Sequence, residues 1–166
     1  MRRRRYPIHP DFNRYRHFNP PLNKAALPIM QKFLGHLFNM EKSTAQVDVK
    51  RLSIPIENGH LIGALLYAPI GIGDDAPCLI YYHGGGFVLP AAPHHYLLAK
   101  EYAVRANCKV LFVNYRFAPE HPFPAAPEDC YAAYTWLSEN AKDHGIDSTR
   151  ILVAGDSAGG QLATVV

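Results

Sequence analysis

The spacing of hydrophobic residues changes along the 166-residue chain, and each change indicates a different secondary structure. Between residues 22 and 40, apolar side chains recur every three or four positions, which predicts an amphipathic helix offset by Pro28. From Val47 apolar and polar positions nearly alternate, turn at residues 57–59 and alternate again to Tyr67. This pattern predicts a β-hairpin.

The second half of the chain alternates short apolar runs with stretches of helical spacing. The runs are residues 78–82, 110–113 and 151–154, and the helical stretches between them are residues 93–106 and 125–143. Such alternation is typical of a parallel sheet with helices on both faces. With the hairpin added, the fold class is α/β with a mixed, mostly parallel sheet.

Composition narrows the class of protein further. A hydrophobic fraction of 48% excludes wholesale disorder, and no apolar stretch approaches the roughly 18 residues of a membrane span. Cys78, Cys108 and Cys130 are too few and too scattered for a disulfide framework or a zinc site, so no metal is expected. No secretory signal is visible either. We therefore expect a cytoplasmic protein with reduced thiols.

Charge is concentrated at the start of the chain. Residues 1–50 contain ten Lys and Arg against three Asp and Glu, a formal +7, whereas residues 51–166 contain seven against eleven, a formal −4. The run Arg2-Arg3-Arg4-Arg5 could contact nucleic acid or anionic lipid. No nucleic-acid module accompanies this run, so a solvated terminus is the favoured interpretation and no nucleic-acid partner is expected.

The segment Gly155-Asp156-Ser157-Ala158-Gly159 lies between the predicted strand 151–154 and an apolar helical stretch. So tight a strand-to-helix turn needs glycines two positions before and after the serine, since side chains there would collide with neighbouring backbone. The turn presents the Ser157 hydroxyl at a helix N-terminus, which favours developing negative charge. Ser157 is therefore the candidate nucleophile. The alternative is a Gly-Ser turn without a chemical role.

A second glycine-rich segment, His83-Gly84-Gly85-Gly86-Phe87, directly follows the strand 78–82. Its uncovered N–H groups, together with that of Ala158, predict an oxyanion hole for a tetrahedral intermediate. Two alternatives are a phosphate-binding loop and a purely structural turn. The first is disfavoured because no P-loop or dinucleotide-binding motif is present. We interpret His83 as support for this loop rather than as a general base.

A proline-rich segment, residues 115–125, follows the predicted strand 110–113 and should form a rigid loop before the next helix. Arg116 and Glu120 are spaced to form an ion pair that braces this loop. Catalysis by Glu120 or His121 is the less favoured alternative. Three aromatic residues are candidates either for an acyl pocket or for the core: Phe87, Tyr96 and Phe117.

The segments HGGGF, NYRFAPEHPFPAAPEDC and GDSAGG together resemble the hormone-sensitive-lipase-like esterases of the α/β-hydrolase fold, over roughly residues 78–162. The resemblance implies hydrolysis of carboxylic esters with short or medium acyl chains, without a cofactor. It also implies a cap and arm over residues 1–45 and the N-terminal half of a catalytic domain over residues 46–166. The implied site residues are Ser157 as nucleophile, Gly84, Gly85, Gly86 and Ala158 as the oxyanion hole, and His83, Asp156, Arg116 and Glu120 as loop support.

The family mechanism also needs an Asp or Glu and then a His after the nucleophile, and residues 158–166 contain neither. We therefore expect a catalytic domain truncated after the nucleophile turn, with residues 151–154 as an exposed sheet edge. His94 and His95 could approach the site as substitutes, an alternative that we do not favour. The missing groups would come from further polypeptide, from a homo-oligomer or from a complementing C-terminal half.

Two functions therefore remain open on the sequence alone. One is a serine carboxylesterase that works through an acyl-enzyme. The other is a catalytically inactive fragment, or an interaction half that needs a second chain. Serine-dependent turnover distinguishes the two.

Overall fold

The computed structural model describes residues 9–15, 23 and 25–166. The arginine run 2–5 and the predicted helix start at Leu22 lie outside the described residues. A short 3₁₀ helix, Pro10–Tyr15, precedes helix α1, Ala26–Met40. Pro28 therefore lies in the first turn of α1. The N–H groups of a first turn have no intrahelical acceptor, so the N–H that proline lacks costs little there.

Five strands form one sheet: β1 (Val47–Pro55), β2 (Leu61–Pro69), β3 (Ala76–Tyr82), β4 (Lys109–Asn114) and β5 (Ile146–Gly155). Their order across the sheet is β1-β2-β4-β3-β5. The predicted hairpin β1–β2 is antiparallel and β2 is antiparallel to β4, whereas β3 is parallel to both β4 and β5. The mixed, mostly parallel sheet is confirmed.

Three further helices follow α1: α2 (Pro93–Ala106), α3 (Ala125–Asn140) and α4 (Ala158–Val165). Side chains alternate between the faces of β3. Cys78, Ile80 and Tyr82 belong to a core that includes residues of α3 and α4, whereas Tyr81 belongs to a second core that includes residues of α2, with Leu37 of α1 packed against it. Helices thus cover both faces, as predicted.

Two boundaries differ from the prediction. The helix predicted over residues 125–143 ends at Asn140 and continues as a 3₁₀ turn, Ala141–His144, before Gly145 reverses the chain at φ +60°. β5 starts earlier than predicted, at Ile146, and pairs only with β3 among the described strands. Leu152 in β5 is 69% exposed. No helix in the described ranges is long and apolar enough to cross a bilayer.

Candidate active site

The two glycine-containing segments meet because their strands are neighbours. β3 and β5 are paired in parallel, and their registered ends are Tyr82 and Gly155. The carboxyl ends of parallel strands lie at the same edge of a sheet, where open α/β folds bind their ligands. The loop after β3, residues 83–87, therefore lies beside the turn after β5, residues 155–159.

Ser157 occupies a backbone conformation that side-chain-bearing residues rarely adopt. Its φ is +51° and its ψ −118°, and α4 begins at the next residue. A non-glycine residue in so sparsely populated a backbone region costs about 1–3 kcal/mol, so the surrounding packing must hold it. The side chain is exposed, and its hydroxyl has no hydrogen-bond partner among the described residues. The turn thus presents a free hydroxyl at a helix N-terminus.

The glycines that flank Ser157 are required by close backbone approach. A Cβ on Gly155 would lie 2.6 Å from the carbonyl oxygen of Tyr82. A Cβ on Gly159 would lie 2.7 Å from the carbonyl oxygen of His83 and closer still to that of Tyr82. The turn is therefore packed directly against the end of β3, which fixes its position relative to the following loop.

Asp156, which precedes Ser157, joins this turn to the loop after β3. Its Oδ1 accepts hydrogen bonds from the Tyr81 hydroxyl at 2.7 Å and from the Gly84 N–H at 2.9 Å, and its Oδ2 lies 3.4 Å from His95 Nε2. Burial opposes ionisation of this carboxyl, but the hydrogen bonds from Tyr81 and Gly84 and the contact with His95 together lower its pKa. Asp156 is therefore a carboxylate at neutral pH.

The Asp156 contact narrows the set of free N–H donors. Because the Gly84 N–H donates to Asp156, it is occupied. The N–H groups of Gly85 and Gly86 have no acceptor among the described residues. The Ala158 N–H is the first of α4 and has no intrahelical acceptor. Three uncommitted donors thus remain near the Ser157 turn.

His83 is fully buried beneath the loop. Its ring stacks on those of Tyr115, at a centroid distance of 4.5 Å, and Phe112, at 5.7 Å. Its Nδ1 lies 2.6 Å from the Gly84 carbonyl oxygen, and its own carbonyl accepts from the Tyr115 hydroxyl at 2.6 Å. Burial lowers the pKa of His83 to about 4, so the ring is neutral and donates from Nδ1.

His95, in the first turn of α2, has both ring nitrogens engaged. Its Nδ1 accepts a hydrogen bond from the Ala92 N–H at 2.8 Å, which leaves the proton of the neutral ring on Nε2, facing Asp156. Burial and the adjacent His94 lower the pKa of His95. His94 is exposed and packs against the His95 ring. An approach of His95 to the site, as a substitute base, is an alternative that the sequence raised, but its contact with Asp156 was not predicted.

The predicted ion pair between Arg116 and Glu120 is wrong. Arg116 instead pairs with Asp129 of α3, whose carboxylate also accepts the Arg116 backbone N–H at 2.8 Å. Glu120 is exposed, whereas Asp129 is fully buried and therefore needs a cation and several donors. The sequence did carry a signal, since Asp129 lies on the face of α3 that also buries Ala126, Cys130 and Ala133.

A cavity of about 810 Å³ lies beside the glycine loop. Its lining is mostly apolar and comes from the loop, the proline-rich segment, α3 and α4; it includes Gly86, Phe87, Ala118, His121, Tyr131 and Leu162. Ser157 is not part of the lining. Of the three aromatic candidates, only Phe87 lines this cavity, whereas Tyr96 is a buried residue of α2 that packs in the second core.

Comparison with known proteins defines the class. Residues 79–166 match the family described as having the alpha/beta hydrolase fold. The chain is 48% identical over 121 residues to carboxylic ester hydrolase LipN and 47% identical over 107 residues to esterase LipI, both of Mycobacterium tuberculosis, covering 72% and 63% of this chain. It superposes on the crystal structure of esterase LipW from Mycobacterium marinum with a TM-score of 0.77 and 32% identity over 87% of this chain.

The chain therefore belongs to the α/β-hydrolase family, in its hormone-sensitive-lipase-like branch. It spans about a third of the length of these curated relatives, 32% of LipN and 33% of LipI, and 47% of the LipW chain. The relatives are named as esterases, and the matched region contains both the loop after β3 and the Ser157 turn.

Proposed function

We propose that this chain carries the nucleophile and the oxyanion hole of a serine carboxylesterase. The observation that carries the proposal is the junction at Asp156, which joins the Ser157 turn to a loop with two uncommitted N–H groups. The names of the relatives support ester hydrolysis as the reaction class.

In the proposed reaction, the Ser157 Oγ attacks the ester carbonyl carbon and loses its proton to a general base. The carbonyl electron pair moves onto oxygen, and the N–H groups of Gly85, Gly86 and Ala158 stabilise the resulting oxyanion. Collapse of the intermediate expels the alkoxide, which takes the proton and leaves an acyl-enzyme on Ser157. Water then loses a proton to the base and attacks the acyl carbon, and the same donors stabilise the second intermediate. Its collapse breaks the bond to Ser157 Oγ, which regains the proton as the carboxylic acid is released.

The general base in this proposal is neither His83 nor His95. His83 is buried between two aromatic rings, and both nitrogens of His95 are engaged by Ala92 and Asp156. We place the base and its carboxylate partner on further polypeptide or on a second chain. His83, His95 and Asp156 instead hold the loop and the turn together.

The substrate class that we propose is carboxylic esters with short or medium acyl chains. The cavity beside Gly86 and Phe87 offers an apolar surface for the acyl or alcohol part of such an ester. A relative from Pseudomonas putida, 39% identical over 71% of this chain, is named ethyl acetate hydrolase.

The experiment is hydrolysis of p-nitrophenyl butyrate by the protein as its natural gene encodes it, with Ser157→Ala and Ser53→Ala as a matched pair. We expect Ser157→Ala to lower kcat by about 10⁴-fold or more, because the nucleophile is removed. Ser53→Ala should retain full activity, since Ser53 is exposed on β1, remote from the Ser157 turn.

A wild-type protein that folds but shows no turnover dependent on Ser157 would contradict the proposal. Such a result would favour the inactive interaction half that the sequence left open. Equal loss of activity in both variants would indicate unfolding rather than loss of a nucleophile, so circular dichroism of each variant accompanies the assay.

A further inference from the structure

Gln31 attaches helix α1 to the loops around the candidate site. Its side-chain amide nitrogen donates to the carbonyl oxygen of Val88 at 2.7 Å and to that of Ala118 at 3.0 Å. Both acceptors are carbonyl oxygens, so the orientation of the amide is determined and both of its N–H groups are used. A half-buried side chain in the N-terminal region thus contacts two segments that lie far along the chain.

The two segments that Gln31 joins are also bonded to each other. Val88 directly follows Phe87 at the end of the glycine loop, and the Ala118 N–H donates to the Phe87 carbonyl at 2.8 Å. Gln31, the glycine loop and the proline-rich loop therefore form a three-way junction, with Gly86, Phe87, Val88 and Ala118 all lining the cavity.

This junction surrounds a strained part of the backbone. Phe87 has a φ of +62°, in the left-handed region, and so does the preceding Gly86. For a non-glycine residue that conformation costs about 1–2 kcal/mol, and it persists only where neighbouring contacts hold it. The Ala118 N–H bonds to the carbonyl of Phe87, and the Gln31 amide bonds to the carbonyl of the next residue, Val88.

We propose that Gln31 is a positioning residue for the oxyanion hole. By fixing the Val88 and Ala118 carbonyls it holds residues 86–88 in the strained turn that aims the Gly85 and Gly86 N–H groups at the developing oxyanion. The inference rests on the proposed esterase function. Oxyanion donors act mainly on the transition state, so loss of Gln31 affects kcat more than KM.

The test uses Gln31→Met in the protein as its natural gene encodes it. Methionine has a similar length but cannot donate a hydrogen bond. We expect kcat for p-nitrophenyl butyrate to fall about 10- to 100-fold, because small displacements of catalytic groups cost about this much, with KM changed less than about twofold. A trifluoromethyl ketone, which forms a tetrahedral adduct with the nucleophile, should bind Gln31→Met more weakly by the same factor as the loss in kcat/KM. The affinity for butyrate, a product that forms no such adduct, should not change.

Arg51→Met is the matched control, because it loosens the opposite end of the same helix. Arg51 donates from β1 to the carbonyl oxygens of Asn39 at 2.7 Å and Glu41 at 2.6 Å. If docking of α1 alone mattered, both variants would lose activity to a similar degree. We expect Arg51→Met to lower the melting temperature while it leaves kcat and ketone affinity within about twofold of wild type.

The possible results separate the two claims. A Gln31→Met protein with wild-type kcat and ketone affinity would overturn the role of Gln31 and leave the esterase proposal intact. Equal losses in Gln31→Met and Arg51→Met would also overturn it, since they would reflect helix docking. A wild-type protein without turnover dependent on Ser157 and without ketone binding would overturn both claims.

Discussion

The Ser157 turn depends on glycines at positions where there is no room for even a methyl group. We expect Gly159→Ala to lower the free energy of unfolding by about 2–3 kcal/mol, because the new Cβ collides with the backbone of Tyr82 and His83 and the strand end must shift. Gly35→Ala in α1 should instead raise it by about 0.5–1 kcal/mol, since a Cβ at this helix position meets nothing within 4 Å.

Urea unfolding of both variants measures the difference. Each variant adds one methyl group, and we expect this addition to change the free energy of unfolding in opposite directions at the two positions. A Gly159→Ala protein as stable as wild type would show that the close approach between the turn and β3 is not required. A destabilised Gly35→Ala protein would show that α1 is not helical at this position.

Individual residues differ in how far the sequence could predict them. The turn at Ser157 could be predicted because its five-residue pattern is contiguous in the sequence, although the backbone that makes the flanking glycines necessary, that of Tyr82 and His83, belongs to the end of β3. The partner of Arg116 could not, because Glu120 is near in sequence whereas Asp129 becomes near only when α3 packs on the sheet. The same limit applies to Gln31, whose two acceptors lie 57 and 87 residues away.

The contact between Arg116 and Asp129 joins the proline-rich loop to α3. We expect Arg116→Met to lower the free energy of unfolding by about 3 kcal/mol, because it leaves the fully buried Asp129 carboxylate without its cation. Arg105→Met, which removes an exposed pair with Glu101 within α2, should cost no more than about 0.5 kcal/mol. Thermal or urea unfolding distinguishes these values.

Glu120→Gln tests the correction directly. Since Glu120 is exposed and Arg116 bonds to Asp129, we expect a change within about 0.5 kcal/mol. If Glu120→Gln were as damaging as Arg116→Met, the ion pair that the sequence predicted would be the one that operates in solution.

The stability of the molecule as a whole should depend on pH through His83. Burial lowers its pKa to about 4 in the folded protein, whereas an unfolded histidine titrates near 6.5. Above pH 6.5 both states are neutral at this residue and it contributes no pH dependence. As the pH falls from 6.5 to 4 only the unfolded state gains the proton, so His83 alone should lower the free energy of unfolding by about 3 kcal/mol over this range.

Urea unfolding of wild type and His83→Phe at pH 7 and pH 4 measures this contribution. Phenylalanine keeps the stacking on Tyr115 and Phe112 but cannot titrate, so the loss of stability between the two pH values should be smaller by about 3 kcal/mol. Replacement of the exposed His60 by Asn serves as the control and should keep the wild-type difference. An unchanged difference in His83→Phe would mean that His83 is accessible to water and protonates in the folded state.

The arrangement of the sheet was predicted more completely than the contacts between its loops. The alternation of apolar runs and helical stretches determined the hairpin, the parallel strands and the helices on both faces. The strand order, which brings β3 beside β5 and so Gly84 beside Asp156, depends on packing across the whole molecule. Neither apolar spacing nor a local motif contains that information.

The central claim is that Ser157 is the nucleophile of an ester hydrolase, and covalent labelling tests it most directly. A fluorophosphonate is incubated with the protein as its natural gene encodes it, and the modified peptide is identified by mass spectrometry. We predict a single adduct on Ser157, absent from Ser157→Ala and unchanged in Ser53→Ala. An adduct on another residue, or ester hydrolysis by a protein whose Ser157 is never labelled, would contradict the account.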